Sequence, residues 1–348
     1  MTRLRVGIVG SSFGGLVHAP AFAAQGRFDV VAIASPTHAT EIAAQRKIPH
    51  AFATLDDMLA STDLDVLSVA SPPFAHRDDV LAGLARGLHV LCEKPFGQNV
   101  AEAEEMLAES VRAGTVCALA HEFRYTPSRL AIAELIRNGH LGPLRALEVT
   151  YASGMLRAEN ERPNSWWFSR AKGGGLTGAI LSHLIDTATW LAGRPPLRAT
   201  GYERTANPDR IAAGIAFRSD VADGAFATID YGFGTIATVT ADATRAVSAS
   251  TLAAHGATRT AVASGENLLD VTTFVVDDEE TSELELAPQA HAHLAAAHPN
   301  IPPFVTLLDA FADAIAGKPS ELPTFAGGLA TQRVLEAVGY GANDRARA

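Results

Sequence analysis

The chain has 348 residues, 47% hydrophobic and 19% charged with no long biased tract, which excludes a disordered or fibrous protein and favours two domains over one. Twenty-eight Lys and Arg against 38 Asp and Glu give a net charge of −10 with the histidines neutral, and a chain so acidic argues against nucleic acid or a membrane surface as partner. Two cysteines, Cys92 and Cys117, exclude a disulfide scaffold or a four-thiolate metal site; both sit in apolar runs and read as small buried hydrophobes.

The start is basic and then apolar, but the apolar run stops at the glycine and serine cluster of residues 10–15. That is too short for a secretory signal, and no run approaches the ~18 apolar residues of a membrane span. A cytoplasmic location is the expectation. Short β-branched runs then recur at 6–9, 30–33, 66–69, 90–92 and 116–119, and such runs, apolar without polar alternation, fit strands covered on both faces. Helical spacing fills the gaps at 40–47, 78–86 and 100–113, with Val100, Met106, Leu107 and Val111 of the last expected inward. Strand–helix repetition of this length calls for a right-handed, doubly wound parallel sheet. The first domain is expected over residues 1–124.

Residues 125–348 read as a second, α+β domain. A helix at 128–138 leads to an alternating strand at 144–151, and further strands are expected at 211–217, 225–233, 236–241, 268–276 and 283–286. Asp277-Asp278 is a hairpin candidate, and helices at 303–316 and 328–339 close the chain. The expected architecture is a large mixed or antiparallel sheet with one face packed on helices.

Gly10-Ser11-Ser12-Phe13-Gly14-Gly15 joins the first strand to a helix expected near Leu16. A glycine loop in that setting offers backbone N–H groups and the positive helix end to a pyrophosphate. Gly10 and Gly15 fit the first and third glycines of G-x-G-x-x-G, while Ser12 replaces the second. The second strand ends in Ser35-Pro36-Thr37 without the carboxylate that holds the ribose of NAD, and Ser35 and Thr37 could donate to a 2′-phosphate, so NADP is favoured over NAD. Glu93-Lys94-Pro95 emerges at the carboxyl end of a strand of the same sheet, where a lysine can polarise a carbonyl or relay a proton.

Together these segments resemble the Gfo/Idh/MocA (glucose–fructose oxidoreductase / inositol dehydrogenase) family of NAD(P)-dependent oxidoreductases. The resemblance also rests on Ser71-Pro72-Pro73 with His76, on His121–Pro127, on Gly173-Gly174-Gly175 followed by His183 and Asp186, and on Pro323-Thr324-Phe325 with Gly328. It implies a Rossmann domain followed by a domain whose open sheet mediates homodimers or homotetramers. It implies a sugar or polyol substrate whose secondary hydroxyl or ketone exchanges a hydride with the nicotinamide. Lys94, His183 and Asp186 are the implied catalytic residues; Phe13, Ser71, Pro72, His76, Glu93 and Arg124 join the loop around the cofactor.

One carboxylate of the family's second catalytic segment is Ala179 here, and a family glycine is Leu181. Ala179 and Ser12 leave a non-catalytic dinucleotide sensor as an alternative, and the resemblance itself leaves a glycoside-cleaving enzyme on the same fold as another. Trp166-Trp167-Phe168 reads as a sugar-stacking wall or as core. His291, His293 and His298 lack a nearby carboxylate and read as a polar loop; no metal site is expected.

Overall fold

The computed structural model describes residues 3–277 and 280–341. Contacts divide the chain into two compact units. One comprises Met1–Gly97, Ala101–Tyr125 and Gln289–Leu329; the other comprises Gln98–Val100, Thr126–Pro288 and Ala330–Ala348. Residues 289–329 thus return to the first unit, which a single boundary after residue 124 does not anticipate.

The first unit holds a six-stranded sheet of β1 (Leu4–Val9), β2 (Phe28–Ala34), β3 (His50–Phe52), β4 (Val66–Val69), β5 (His89–Cys92) and β6 (Cys117–Leu119). Every pair is parallel, in the order β3-β2-β1-β4-β5-β6. The connections carry α1 (Ala19–Gln25), α2 (Ala39–Arg46), α3 (Leu55–Ser61), α4 (Pro73–Ala85) and α5 (Val100–Ala113). Strand order reverses between β1 and β4, so the crevice that receives ligands in such sheets opens beyond their carboxyl ends. The returning α8 (Ile301–Ile315) packs on α1 and buries Phe304 and Phe311 beside Phe22 and Phe28. Each fully buried phenylalanine contributes roughly 1.5–3 kcal/mol, enough to hold so distant a segment in place. Downstream, Leu119 N donates to Pro323 O (2.7 Å), and Phe325, opening α9 (Phe325–Val338), lies 4.4 Å from the Phe96 ring.

In the second unit the eight-stranded sheet runs β16-β15-β14-β13-β7-β12-β11-β8. Its strands are β7 (Leu144–Ala152), β8 (Arg198–Arg204), β11 (Gly224–Asp230), β12 (Ile236–Asp242), β13 (Ala249–Gly256), β14 (Thr260–Gly265), β15 (Thr272–Val276) and β16 (Thr281–Glu283). Only β7 and β12 pair in parallel among the described strands of this sheet. A separate hairpin is formed by β9 (Asp209–Ala212) and β10 (Ile215–Arg218). One face of the large sheet, with Leu147, Val149, Ile229, Val239 and Leu252, is buried, and α6 (Pro127–Arg137) and α7 (Ser182–Ala192) pack against the sheet. The alternate positions Glu148, Tyr202, Thr228 and Thr238 are exposed, as the two-residue period of a strand dictates.

Several expectations need correcting. Val111 points outward at 74% exposure, and Ala103, Met106 and Ser110 form the inner stripe of α5 instead. The run at 211–217 is broken by Ala213 and Gly214, both at positive φ (49° and 78°), and folds as the β9–β10 hairpin. The strand expected to reach residue 233 stops at Asp230, where a turn places Phe233 at φ 52°. Residues 268–271 form a turn closed by Asn267 Oδ1, which accepts from Leu269 N and Asp270 N, so β15 begins at Thr272. The last strand is Thr281–Glu283, not 283–286. Asp278 of the expected hairpin lies outside the described residues, though Val276 and Thr281 pair across it. Cys92 is buried, whereas Cys117 is only half-buried.

Candidate active site

Gly10 ends β1 at φ 102°, and a Cβ there would stand 2.2 Å from the Ala70 carbonyl oxygen. Only glycine lets the loops after β1 and β4 approach so closely. A Cβ on Gly15 would meet Ile42 of α2 at 2.9 Å, which accounts for the third glycine as a packing requirement. The chain then makes a wide turn at Gly14–His18 before α1, and wide turns of this kind recur at functional sites. Ser12 is exposed on the loop, so the close backbone cradle that suits a pyrophosphate is present despite the missing glycine. Phe13 lies edge-on to His18 and to His298, each at 5.8 Å. At the end of β2, Ser35 is buried and its hydroxyl donates to Ser11 Oγ at 2.9 Å, while Thr37 is exposed.

Beyond β4, Ser71 Oγ donates to Asp79 Oδ2 at 2.5 Å, and burial pushes the Asp79 carboxyl up to about 6. Pro72 and Pro73 open α4. His76 is fully buried between two carbonyls, Ser71 O at 2.8 Å and Pro95 O at 3.0 Å. Burial lowers its pKa, and a neutral ring donates to only one of them. His76 therefore ties the loop after β4 to the loop after β5.

The end of β5 carries a buried charge cluster. His18 Nε2 donates to Glu93 Oε1 at 3.0 Å, and its Nδ1 is hydrogen-bonded to Ser68 Oγ at 2.7 Å. Glu93 Oε2 accepts from the backbone N–H of Lys94 at 3.3 Å. Burial pushes the Glu93 carboxyl up, but the His18 bond and the Lys94 ammonium outweigh it and hold the group below the ordinary value. Glu122, in the turn Glu122–Tyr125 after β6, is 0% exposed. Its Oε1 accepts from Asn300 Nδ2 at 2.8 Å. Burial first, and the Glu93 charge second, push this carboxyl up to about 8. Arg124 of the same turn is buried.

The second unit contributes its own elements. Trp166–Phe168 is a single turn whose Phe168 packs against Trp167 and Phe217. A Cβ on Gly174 would stand 2.2 Å from the Trp167 carbonyl, and Gly173 and Gly175 hold φ of 71° and 101°. The glycine triplet is thus required by its own backbone. A wide turn at Thr177–Leu181, which includes Ala179, runs directly into α7. His183 and Asp186, each 2% exposed, sit three residues apart on that helix and share a face.

His18, Glu122 and Asn300 escape the sequence reading. His18 follows Gly15 by three residues on the loop's own helix and Glu122 follows β6 directly, so both carried a positional signal; Asn300 carried none.

Two family descriptions fit this arrangement. The description of the Gfo/Idh/MocA oxidoreductase family, NAD-binding Rossmann fold, matches residues 4–121, and that of the Gfo/Idh/MocA C-terminal domain matches residues 130–266. The chain belongs to the Gfo/Idh/MocA family. Similar relatives of this member include an uncharacterized oxidoreductase, sll0816, of Synechocystis, 33% identical over 55% of the chain and 52% of that protein. Levoglucosan dehydrogenase of Pseudarthrobacter phenanthrenivorans is 28% identical over 56% of the chain and 52% of that protein. The NADP-dependent scyllo-inositol 2-dehydrogenase IolU of Bacillus subtilis is 31% identical over 50% of the chain and 51% of that protein. The matches span about half the length of these curated relatives. Levoglucosan dehydrogenase in complex with NADH superposes on the Gfo/Idh/MocA fold of this chain with a TM-score of 0.84, at 23% identity, covering 98% of this chain and 97% of that one.

Proposed function

We propose that this Gfo/Idh/MocA member is an NAD(P)-dependent oxidoreductase that exchanges a hydride with a secondary hydroxyl or ketone of a sugar or polyol. The observation that carries the reading is Lys94, which leaves the carboxyl end of β5 on the same sheet edge as the Gly10 cradle and follows a glutamate held ionised by His18. The loop after β1 would hold the pyrophosphate on backbone N–H groups. When bound, the nicotinamide supplies or accepts the hydride. Lys94 takes up or returns the hydroxyl proton; His183 assists that transfer, and Asp186 orients His183 or the substrate. Residues 1–124 serve the cofactor in this reading, and residues 125–348 serve the substrate and assembly. No metal has a part in it.

For the cofactor we infer NADP. The end of β2 presents no carboxylate to repel a 2′-phosphate, and the Thr37 hydroxyl is exposed there. The test is to titrate NADPH and NADH and to assay a sugar and polyol panel with both. Tighter NADPH binding, reversed by Ser35→Asp, with turnover on at least one polyol is expected. Tighter NADH binding by the wild type overturns the cofactor assignment, and binding with no turnover across the panel points to a sensor.

The exposed face of the large sheet supports self-association. Tyr202, stacked at 5.0 Å on Phe226, stands with Thr228 and Thr238 on that face. A homodimer or homotetramer is expected, and Thr238→Arg should shift it toward monomer in sedimentation velocity. A wild type that sediments as a monomer refutes the assembly.

A further inference from the structure

Two carboxyl groups lie near Lys94 in the first unit, and their surroundings differ in kind. Glu93 receives the His18 N–H and the Lys94 backbone N–H. Glu122 is more deeply buried, and its donors, the Asn300 side-chain amide and its own backbone N–H, are uncharged. Its second oxygen, Oε2, has no hydrogen-bond partner among the described residues. The groups around Glu122 are Glu93 and Lys94 from the end of β5, His121 and Arg124 beside it in its own segment, and His298 and Asn300 from the lead-in to α8. A desolvated carboxylate held by uncharged amide donors, beside a second carboxylate, is far costlier than the neutral acid.

We propose that Glu122 holds a proton in the working enzyme and acts as a positioning residue that sets the charge state of Lys94. The inference rests on the proton-transfer role given to Lys94 above. With Glu122 neutral, the ionised member of this pair of glutamates is Glu93, and that carboxylate is already engaged by His18. As pH rises, Glu122 gives up its proton, consistent with a carboxyl pushed up to about 8. The new negative charge then stabilises the ammonium and delays its conversion to the amine base. A single buried charge of this kind moves a neighbour's titration by about one unit or more.

The test has two readouts. The first is the infrared band of a protonated carboxylic acid, followed by pH titration of the whole protein in an Asp79→Asn background, which removes a second carboxyl that burial raises, to about 6. A band present at pH 7 and lost with a midpoint near 8 is expected, and it should be missing in Glu122→Gln. The second is the pH profile of kcat/KM for polyol oxidation, where Glu122→Gln should move the limb on which the rate rises with pH, as Lys94 becomes the amine base, down by about one unit. Absence of the band at pH 7, or a limb unmoved in Glu122→Gln, overturns the proposal. The infrared titration requires no turnover, and the band can be followed in the wild-type protein as well. A protein with the band but no activity on any polyol therefore refutes the Lys94 reading and leaves the protonation of Glu122 established.

Discussion

Replacing Lys94 by alanine is expected to lower turnover by ~10²–10⁴-fold while leaving dinucleotide affinity within a few-fold of wild type, the usual scale for a lost acid/base group. The asymmetry follows from where the two functions reside. The nucleotide cradle is backbone, fixed by the contact of Gly10 with the Ala70 carbonyl and of Gly15 with Ile42, and no part of it depends on the lysine side chain. The fold should also survive, because Glu93 keeps the His18 hydrogen bond that holds it in place. Lys94→Arg sharpens the result. Arginine retains the positive charge but does not give up a proton at any working pH, so it should bind cofactor and remain nearly as slow as the alanine variant. Steady-state kinetics with fluorescence titration of the reduced cofactor measures both quantities. Undiminished turnover in Lys94→Ala would remove the lysine from the chemistry.

The second large effect is expected at His183. His183→Asn should lower kcat/KM by ~10²–10³-fold, since the amide keeps the approximate shape but cannot exchange a proton near neutrality. Position 179 gives this prediction a second handle. Ala179 lies four residues before His183, in the wide turn that feeds α7, and it stands where relatives are expected to carry a carboxylate. A carboxylate introduced beside an imidazole favours the protonated ring. Ala179→Asp should therefore move the acidic limb of the kcat/KM profile to higher pH and leave the alkaline limb in place. An unchanged profile in Ala179→Asp, or full activity in His183→Asn, would mean that this stretch of α7 is packing alone.

What the sequence determined by itself was whatever depends on local pattern. The parallel strands were legible because both faces are covered, so their apolar runs are continuous, as at Val6 to Val9 and Val66 to Val69. The glycine loop was legible because backbone approach demands glycine wherever it occurs. By contrast, β13 and β14, rich in alanine and serine, have weak strand propensity, and their pairing is set by β7 and by each other. The inner stripe of α5 was misread at Val111, because which face of a helix is buried is decided by the sheet beneath it and not by the most apolar residue. The return of residues 289–329 to the first unit was invisible for the same reason: the apolar face of α8 fits many partners, and α1 is chosen only once the sheet exists. That return brings Asn300 to Glu122, and the parallel order of β1, β4 and β5 brings Ser68 and Glu93 to His18. Charge states in this cluster are fixed by desolvation and by neighbours as far as 178 positions away, so only the tertiary structure could decide that one glutamate stays ionised while the other keeps its proton.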